Sequence, residues 1–123
     1  MNINNFWRDV LSQNEKTLPS YFCEDTVIRW HCSNEWFTVA EYVRANCEYP
    51  GDWGGEIERA ETLGDGVVTA LRVFPTDCGA SFHVVSFLRL KGNKIREMDE
   101  YWADDGDAPK WRRDMHIGTP IQP

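Results

Sequence analysis

Apolar residues change period several times along the chain, and each change marks an element. Ile3, Phe6, Trp7, Val10 and Leu11 fall at i, i+3, i+4, i+7 and i+8. That is one face of a helix, and the spacing predicts it to run to about Glu15. Leu18-Pro19-Ser20-Tyr21-Phe22 predicts a short second helix, with Pro19 in its first turn and Thr17 as its cap. Between Cys23 and Cys32 the period falls to two. Val27, Arg29 and His31 alternate with Ile28, Trp30 and Cys32, as in a strand. Thr38 and Glu41 then form a T-x-x-E capping box. The helix it opens carries Val39, Tyr42, Val43, Asn46 and Cys47 at helical spacing until Tyr49-Pro50-Gly51 stops it.

The second half of the chain predicts strands and turns. Glu56 to Leu63 reads as a charged edge strand, followed by a hairpin turn at Leu63-Gly64-Asp65-Gly66 and a strand from Val67 to Phe74. Ser81 to Leu90 is a long strand, Lys91-Gly92-Asn93-Lys94 a tight turn, and Ile95 to Ala103 the last strand. Helices, a strand, a helix and four antiparallel strands give an α+β fold with helices on one face of a bent sheet. In "GDWGG", Trp53 is expected to fold back onto an apolar opening, as a lid or as a plug for a hydrophobic gap. No repeat or linker divides the chain, so residues 1–123 read as a single domain, long enough for one core. The stretch from 104 to 123, broken by Gly and Pro, is expected to lie over the surface or a partner.

Composition narrows the function. A net charge of −7 argues against nucleic acid and against an anionic membrane surface as partners. The first residues lack the pattern of a signal peptide, and no apolar run reaches membrane-spanning length, so a cytoplasmic protein is expected. Cys23, Cys32, Cys47 and Cys78 contain no C-x-x-C pair and read as free thiols. His31, Cys32 and His83 lack zinc-ligand spacing, so no metal and no cofactor are expected. There is no Gly-rich phosphate loop. Six Trp is a high count for this length, and Trp clusters line cavities as well as cores.

"YFCEDTVIRW", the helix ending in "YPG" and "GNKIREMDEYW", in that order, resemble the nuclear-transport-factor-2-like superfamily, and within it the SnoaL-like and ketosteroid-isomerase-like branch, over residues 5–103. The resemblance implies a cone: a strongly curved antiparallel sheet wrapped round N-terminal helices, with a pocket between them. It also implies frequent homodimers. Such proteins include cofactor-free isomerases, dehydratases and cyclases, and non-catalytic binding or partner modules, so the fold places a site without fixing its chemistry. Matched to the ketosteroid isomerases, the base Asp falls on Trp30, the second acid on Ser86, and the helix Tyr near Phe6 or Trp7. Those groups are missing, which implies a different activity from steroid isomerisation.

The isomerases end in a similar M-x-x-Y-W strand, which implies that Met98, Glu100 and Trp102 face inward and Glu97, Asp99 and Tyr101 outward. On the strand before it, Phe82, Val84, Ser86 and Leu88 would face inward, and His83, Val85, Phe87 and Arg89 outward. The expected pocket is lined by Trp30, Tyr42, Asn46, Trp53, Phe82, Ser86, Met98, Glu100 and Trp102, with Trp7 and Tyr21 nearby. Such a lining suits a small apolar or planar molecule. Glu100 would be the acid or base, with Ser86, Asn46 or Tyr21 orienting the substrate. Alternatively Glu100 is structural, paired with an arginine such as Arg112 or Arg113 of the tail. Val85, Phe87 and Tyr101 would join two copies through the outer face of the sheet. Three functions stay open: a cofactor-free isomerase, dehydratase or cyclase; a ligand-binding module; and a dimeric interaction protein whose own Trp side chains fill the pocket.

Overall fold

In a computed structural model, which describes residues 1–77 and 79–122, helix α1 spans Ile3–Leu11. Asn2 caps it, its side chain accepting from the Asn5 N–H at 3.0 Å. The helix stops short of Glu15. Gln13 adopts a left-handed φ of 55°, and the Asn14 side chain accepts from the Lys16 and Thr17 N–H groups, drawing the backbone into a turn. A 3₁₀ turn at Leu18–Tyr21 follows, and Thr17 makes no side-chain cap to it. Strand β1 (Phe22–Trp30) then runs into β2 (Glu35–Phe37), a three-residue strand too short to leave a periodic signal. Helix α2 (Val39–Cys47) carries the expected capping box: Thr38 Oγ1 accepts from Glu41 N–H at 3.2 Å, and Glu41 Oε1 from Thr38 N–H at 3.0 Å. Strands β3 (Trp53–Leu63), β4 (Gly66–Pro75), β5 (Phe82–Lys91) and β6 (Lys94–Asp104) complete the sheet, and a single turn of helix, α3 (Lys110–Arg113), lies in the tail.

The six strands run in the order β2-β1-β6-β5-β4-β3 in one curved, unclosed sheet. All neighbours are antiparallel except β1 and β6, which are parallel. The chain therefore passes from one edge of the sheet, β2, to the opposite edge, β3, through α2. That crossing lays the helices along the concave side. Register shifts leave Glu58 in β3 and Arg96 in β6 as extra residues, forming bulges that bend and twist the strands around the helices. Trp53 is the first residue of β3, where a loop was expected.

The core lies between helices and sheet. Phe6, Trp7 and Val10 of α1 and Tyr42 of α2 pack with Ile28, Leu71, Val73, Val84, Leu88, Ile95 and Met98 from the concave face. Val84, Ser86 and Leu88 are buried while His83, Val85, Phe87 and Arg89 are exposed, the alternation of a strand with one wet face. Arg112 stacks its guanidinium over Trp111, and Arg113 donates to the Ala108 carbonyl, so both tail arginines are engaged locally and neither pairs with Glu100. Cys23, Cys32 and Cys47 are free thiols; Cys78 lies outside the described residues. Among the described residues no helix is long and apolar enough to cross a membrane.

Candidate functional site

Sheet register sets one transverse row of side chains. Thr69 on β4 pairs with Ser86 on β5, Ser86 with Glu100 on β6, Glu100 with Trp30 on β1, and Trp30 with Glu35 on β2. At the centre of the row Glu100 is 1% exposed. Its Oε2 accepts from the Ser86 hydroxyl at 2.5 Å. Its Oε1 accepts from the Trp30 Nε1–H at 3.0 Å and from the Trp102 Nε1–H at 3.4 Å. No lysine or arginine pairs with it among the described residues.

Burial pushes the Glu100 carboxyl above its ordinary range, and the hydrogen bonds from Ser86, Trp102 and Trp30 hold it back only in part. The geometry accepts either protonation state. An indole N–H can only donate, so Oε1 is an acceptor in both. A hydroxyl can turn, so Ser86 donates to a carboxylate and accepts from a carboxylic acid. The buried Tyr42 hydroxyl is also raised, first by desolvation and then by the charge of Glu100.

A cavity of about 380 Å³ opens on the far side of the two indoles, between the helices and the concave face. Aromatic rings form a continuous wall. Centroids are 5.4 Å apart for Tyr49 and Trp53, 5.7 Å for Trp53 and Phe82, 6.3 Å for Phe82 and Trp102, and 6.4 Å for Trp102 and Trp30. All five rings border the cavity, closed in by Val10 and Leu11 of α1 and Val73 of β4. Trp53 reaches its place through a donor bond from Nε1 to the Pro50 carbonyl at 3.1 Å. Gly51 makes room for it: at φ 116° a Cβ there would stand 3.0 Å from Trp53 Nε1.

Gln13 Nε2 donates to the carbonyls of Asn46 at 2.9 Å and Tyr49 at 2.7 Å, and Asn46 Nδ2 donates to the Val10 carbonyl at 3.0 Å. These bonds tie the end of α1 to the end of α2 over the cavity. Because each partner is a carbonyl oxygen, they also fix which end of each amide is nitrogen. The charged residues at the cavity are both acids, Glu35 and Asp104.

Of the residues expected to line the pocket, Trp30, Asn46, Trp53, Phe82 and Trp102 do so. The others lie elsewhere. Glu100 and Ser86 sit behind the indoles of Trp30 and Trp102, whose N–H edges turn back onto the carboxylate. Met98 is fully buried in the core, as is Trp7, which packs on Phe6. Tyr42 is buried between Phe22 and Trp30. Tyr21 donates its hydroxyl to Asp9 Oδ2 at 2.6 Å; that bond lowers the Asp9 carboxyl, and the Tyr21 hydroxyl is raised by burial and by the same bond. The sequence reading missed Gln13, Tyr49, Glu35 and Asp104. Asp104 did carry a signal, since it continues the inward series of Met98, Glu100 and Trp102 by one more step of two.

No protein-family model matches the sequence, and no curated protein does. Solved structures match over most of the chain at low identity. A candidate ketosteroid isomerase from Kribbella flavida superposes with a TM-score of 0.79 at 20% identity, over 97% of this chain and 87% of its own. An NTF-2 like protein of unknown function from Burkholderia xenovorans gives 0.75 at 18% identity, over 96% and 92%. A hypothetical protein from Catenulispora acidiphila with a ketosteroid isomerase-like fold, in complex with trimethylamine, gives 0.70 at 18% identity, over 83% and 85%.

Proposed function

On the nuclear-transport-factor-2-like fold that this chain shares with those structures, we propose that it binds a small apolar or planar molecule in the aromatic cavity, and that Glu100 holds the wall rather than touching the ligand. The observation that carries this is the position of Glu100. Its oxygens are occupied by Ser86, Trp30 and Trp102, and the two indoles stand between it and the cavity. The volume is of the size that small-molecule sites have. The trimethylamine in the Catenulispora structure, a molecule of mostly methyl surface, supports a small ligand for this fold.

Titration with 2-tetralone, a compact planar ketone, tests the reading through the fluorescence of the lining tryptophans. Saturable quenching is expected in the wild type, and its loss in Ala45→Phe, which fills the cavity from α2. Absence of saturable binding by the wild type would remove the proposal.

A second reading, a cofactor-free isomerase, dehydratase or cyclase working through Glu100, draws on one observation: a carboxyl raised by burial is suited to exchanging a proton near neutrality. It requires an indole to swing aside. Deuterium entering the α-carbon of bound 2-tetralone above the buffer rate, and not in Glu100→Gln, would favour that reading over simple binding.

The proposal extends to a homodimer through the outer face of the sheet. Its support is an apolar patch of Val85, Phe87 and Tyr101, which are 37%, 46% and 45% exposed, with the last two rings in edge contact.

A further inference from the structure

We infer that the cavity's ligand is an organic cation, a protonated or quaternary amine carried on a small apolar body. This rests on the binding reading above and assigns the charge of the molecule bound.

The hydrogen-bonding groups of the lining are the first ground. Its nitrogen donors are already used: Trp30 and Trp102 on Glu100, Trp53 on the Pro50 carbonyl, Gln13 on the Asn46 and Tyr49 carbonyls, and Asn46 on the Val10 carbonyl. What these side chains retain is acceptor capacity, in Gln13 Oε1 and Asn46 Oδ1. The other donors of the lining are the Tyr49 and Ser33 hydroxyls and the Cys32 thiol, none of them charged, so an anion would find no cationic or free amide partner there. A ligand that brings N–H donors or positive charge would meet those two acceptors.

Charge points the same way. Glu35 and Asp104 stand at the cavity, each exposed, and neither forms an ion pair among the described residues. No lysine, arginine or histidine is part of the lining. The two acids are placed by register. Glu35 is the cross-strand partner of Trp30, and Asp104 that of Phe82, so a carboxylate flanks the aromatic wall on two sides. A cation entering there neutralises charge that the fold leaves unpaired, and the net charge of −7 draws it in.

The wall supplies the third ground. Aromatic faces attract cations, Trp most strongly. Two of its indoles donate to one oxygen of Glu100. An acceptor on an indole N–H pushes electron density into the ring, which strengthens the face offered to a cation. Through these two bonds the buried acid would make both rings better partners for a bound cation.

The test compares benzyltrimethylammonium with neopentylbenzene, its neutral isostere, by tryptophan fluorescence titration at low salt. The cation is expected to bind at least about tenfold more tightly. The preference should shrink severalfold in added NaCl and in the double variant Glu35→Gln, Asp104→Asn, whose exposed positions leave the fold intact, as a thermal melt would verify. Equal binding of the two probes, or a preference for neopentylbenzene, would overturn the inference and leave the cavity reading standing. Binding of neither, together with no response to 2-tetralone, would end both. A cation preference unchanged in the double variant would overturn the assignment of the two carboxylates.

Discussion

Trp30 and Glu100 are register partners across the parallel pair β1–β6, and the indole of one donates to the carboxyl of the other at 3.0 Å. With Ser86 and Trp102 this bond takes three of the acid's four lone-pair sites, and both oxygens are engaged. It makes Glu100 the anchor of two rings of the cavity wall, and its substitutions separate charge from shape.

Glu100→Gln keeps an acceptor for both indoles and offers a donor to Ser86, but cannot ionise. Burial raises the folded carboxyl above its ordinary value of 4.5, so the folded chain holds this proton to higher pH than the unfolded chain does. Stability from the protonated group is full below the unfolded value and is lost as pH rises through the folded one. The variant should therefore match the wild type near pH 4 and be the more stable of the two at pH 7, by denaturant titration. Glu100→Ala strands the indole N–H groups and opens a void; it is expected to cost about 2–4 kcal/mol at either pH. A wild type more stable than Glu100→Gln at pH 7 would show that the fold favours the carboxylate.

Trp30→Phe removes one donor to Oε1 while keeping an aromatic ring in the wall. Losing a hydrogen bond to the charged form moves the Glu100 carboxyl further up. The side-chain carboxyl ¹³C shift, followed through a pH titration, should report a higher midpoint than in the wild type. An unchanged or lower midpoint would count against the hydrogen bond.

Gly51→Ala places a methyl 3.0 Å from Trp53 Nε1 on a backbone at φ 116°. Strain at such a position costs on the order of 1–3 kcal/mol. The variant is expected to lose about that much stability and to weaken 2-tetralone binding as Trp53 leaves its bond to Pro50. Unaltered binding with unaltered stability would mean that the turn adapts freely.

Phe87→Glu puts a charge in the centre of the outer apolar patch. Light scattering at micromolar concentration should give twice the 14.3 kDa chain mass for the wild type and the single-chain mass for the variant. A wild type at 14.3 kDa would remove the dimer.

Much of this architecture can be read directly from residue order. The two-residue alternation of β5 and β6 separates inward from outward side chains correctly, because one face is dry and the other wet. The capping box marks the start of α2 for an equally local reason. Depth is another matter. Alternation says that Glu100 and Trp102 share a face, but not that the larger side chain, with Trp30 from a strand distant in sequence, folds over the smaller one. Glu35 was hidden because three residues of β2 are too few to show a period, and Tyr21 was misplaced because its hydroxyl meets Asp9 across a turn.

The position of β1 has a consequence for biosynthesis. Its neighbours are the three-residue β2 and the last strand, β6, and the Trp30–Glu100 bond joins positions 70 apart in sequence. While the chain is emerging from the ribosome, β3, β4 and β5 can zip together as local hairpins, but residues 22–30 have almost nothing to pair with until residues 94–104 arrive. Entry of the final strand between β1 and β5 brings the acid, both its indoles and the cavity wall together in one event. Contacts of such long range form slowly, so a chain arrested before residue 94 would display Trp30 to chaperones and proteases, and the wall of the cavity is completed only when β6 enters the sheet.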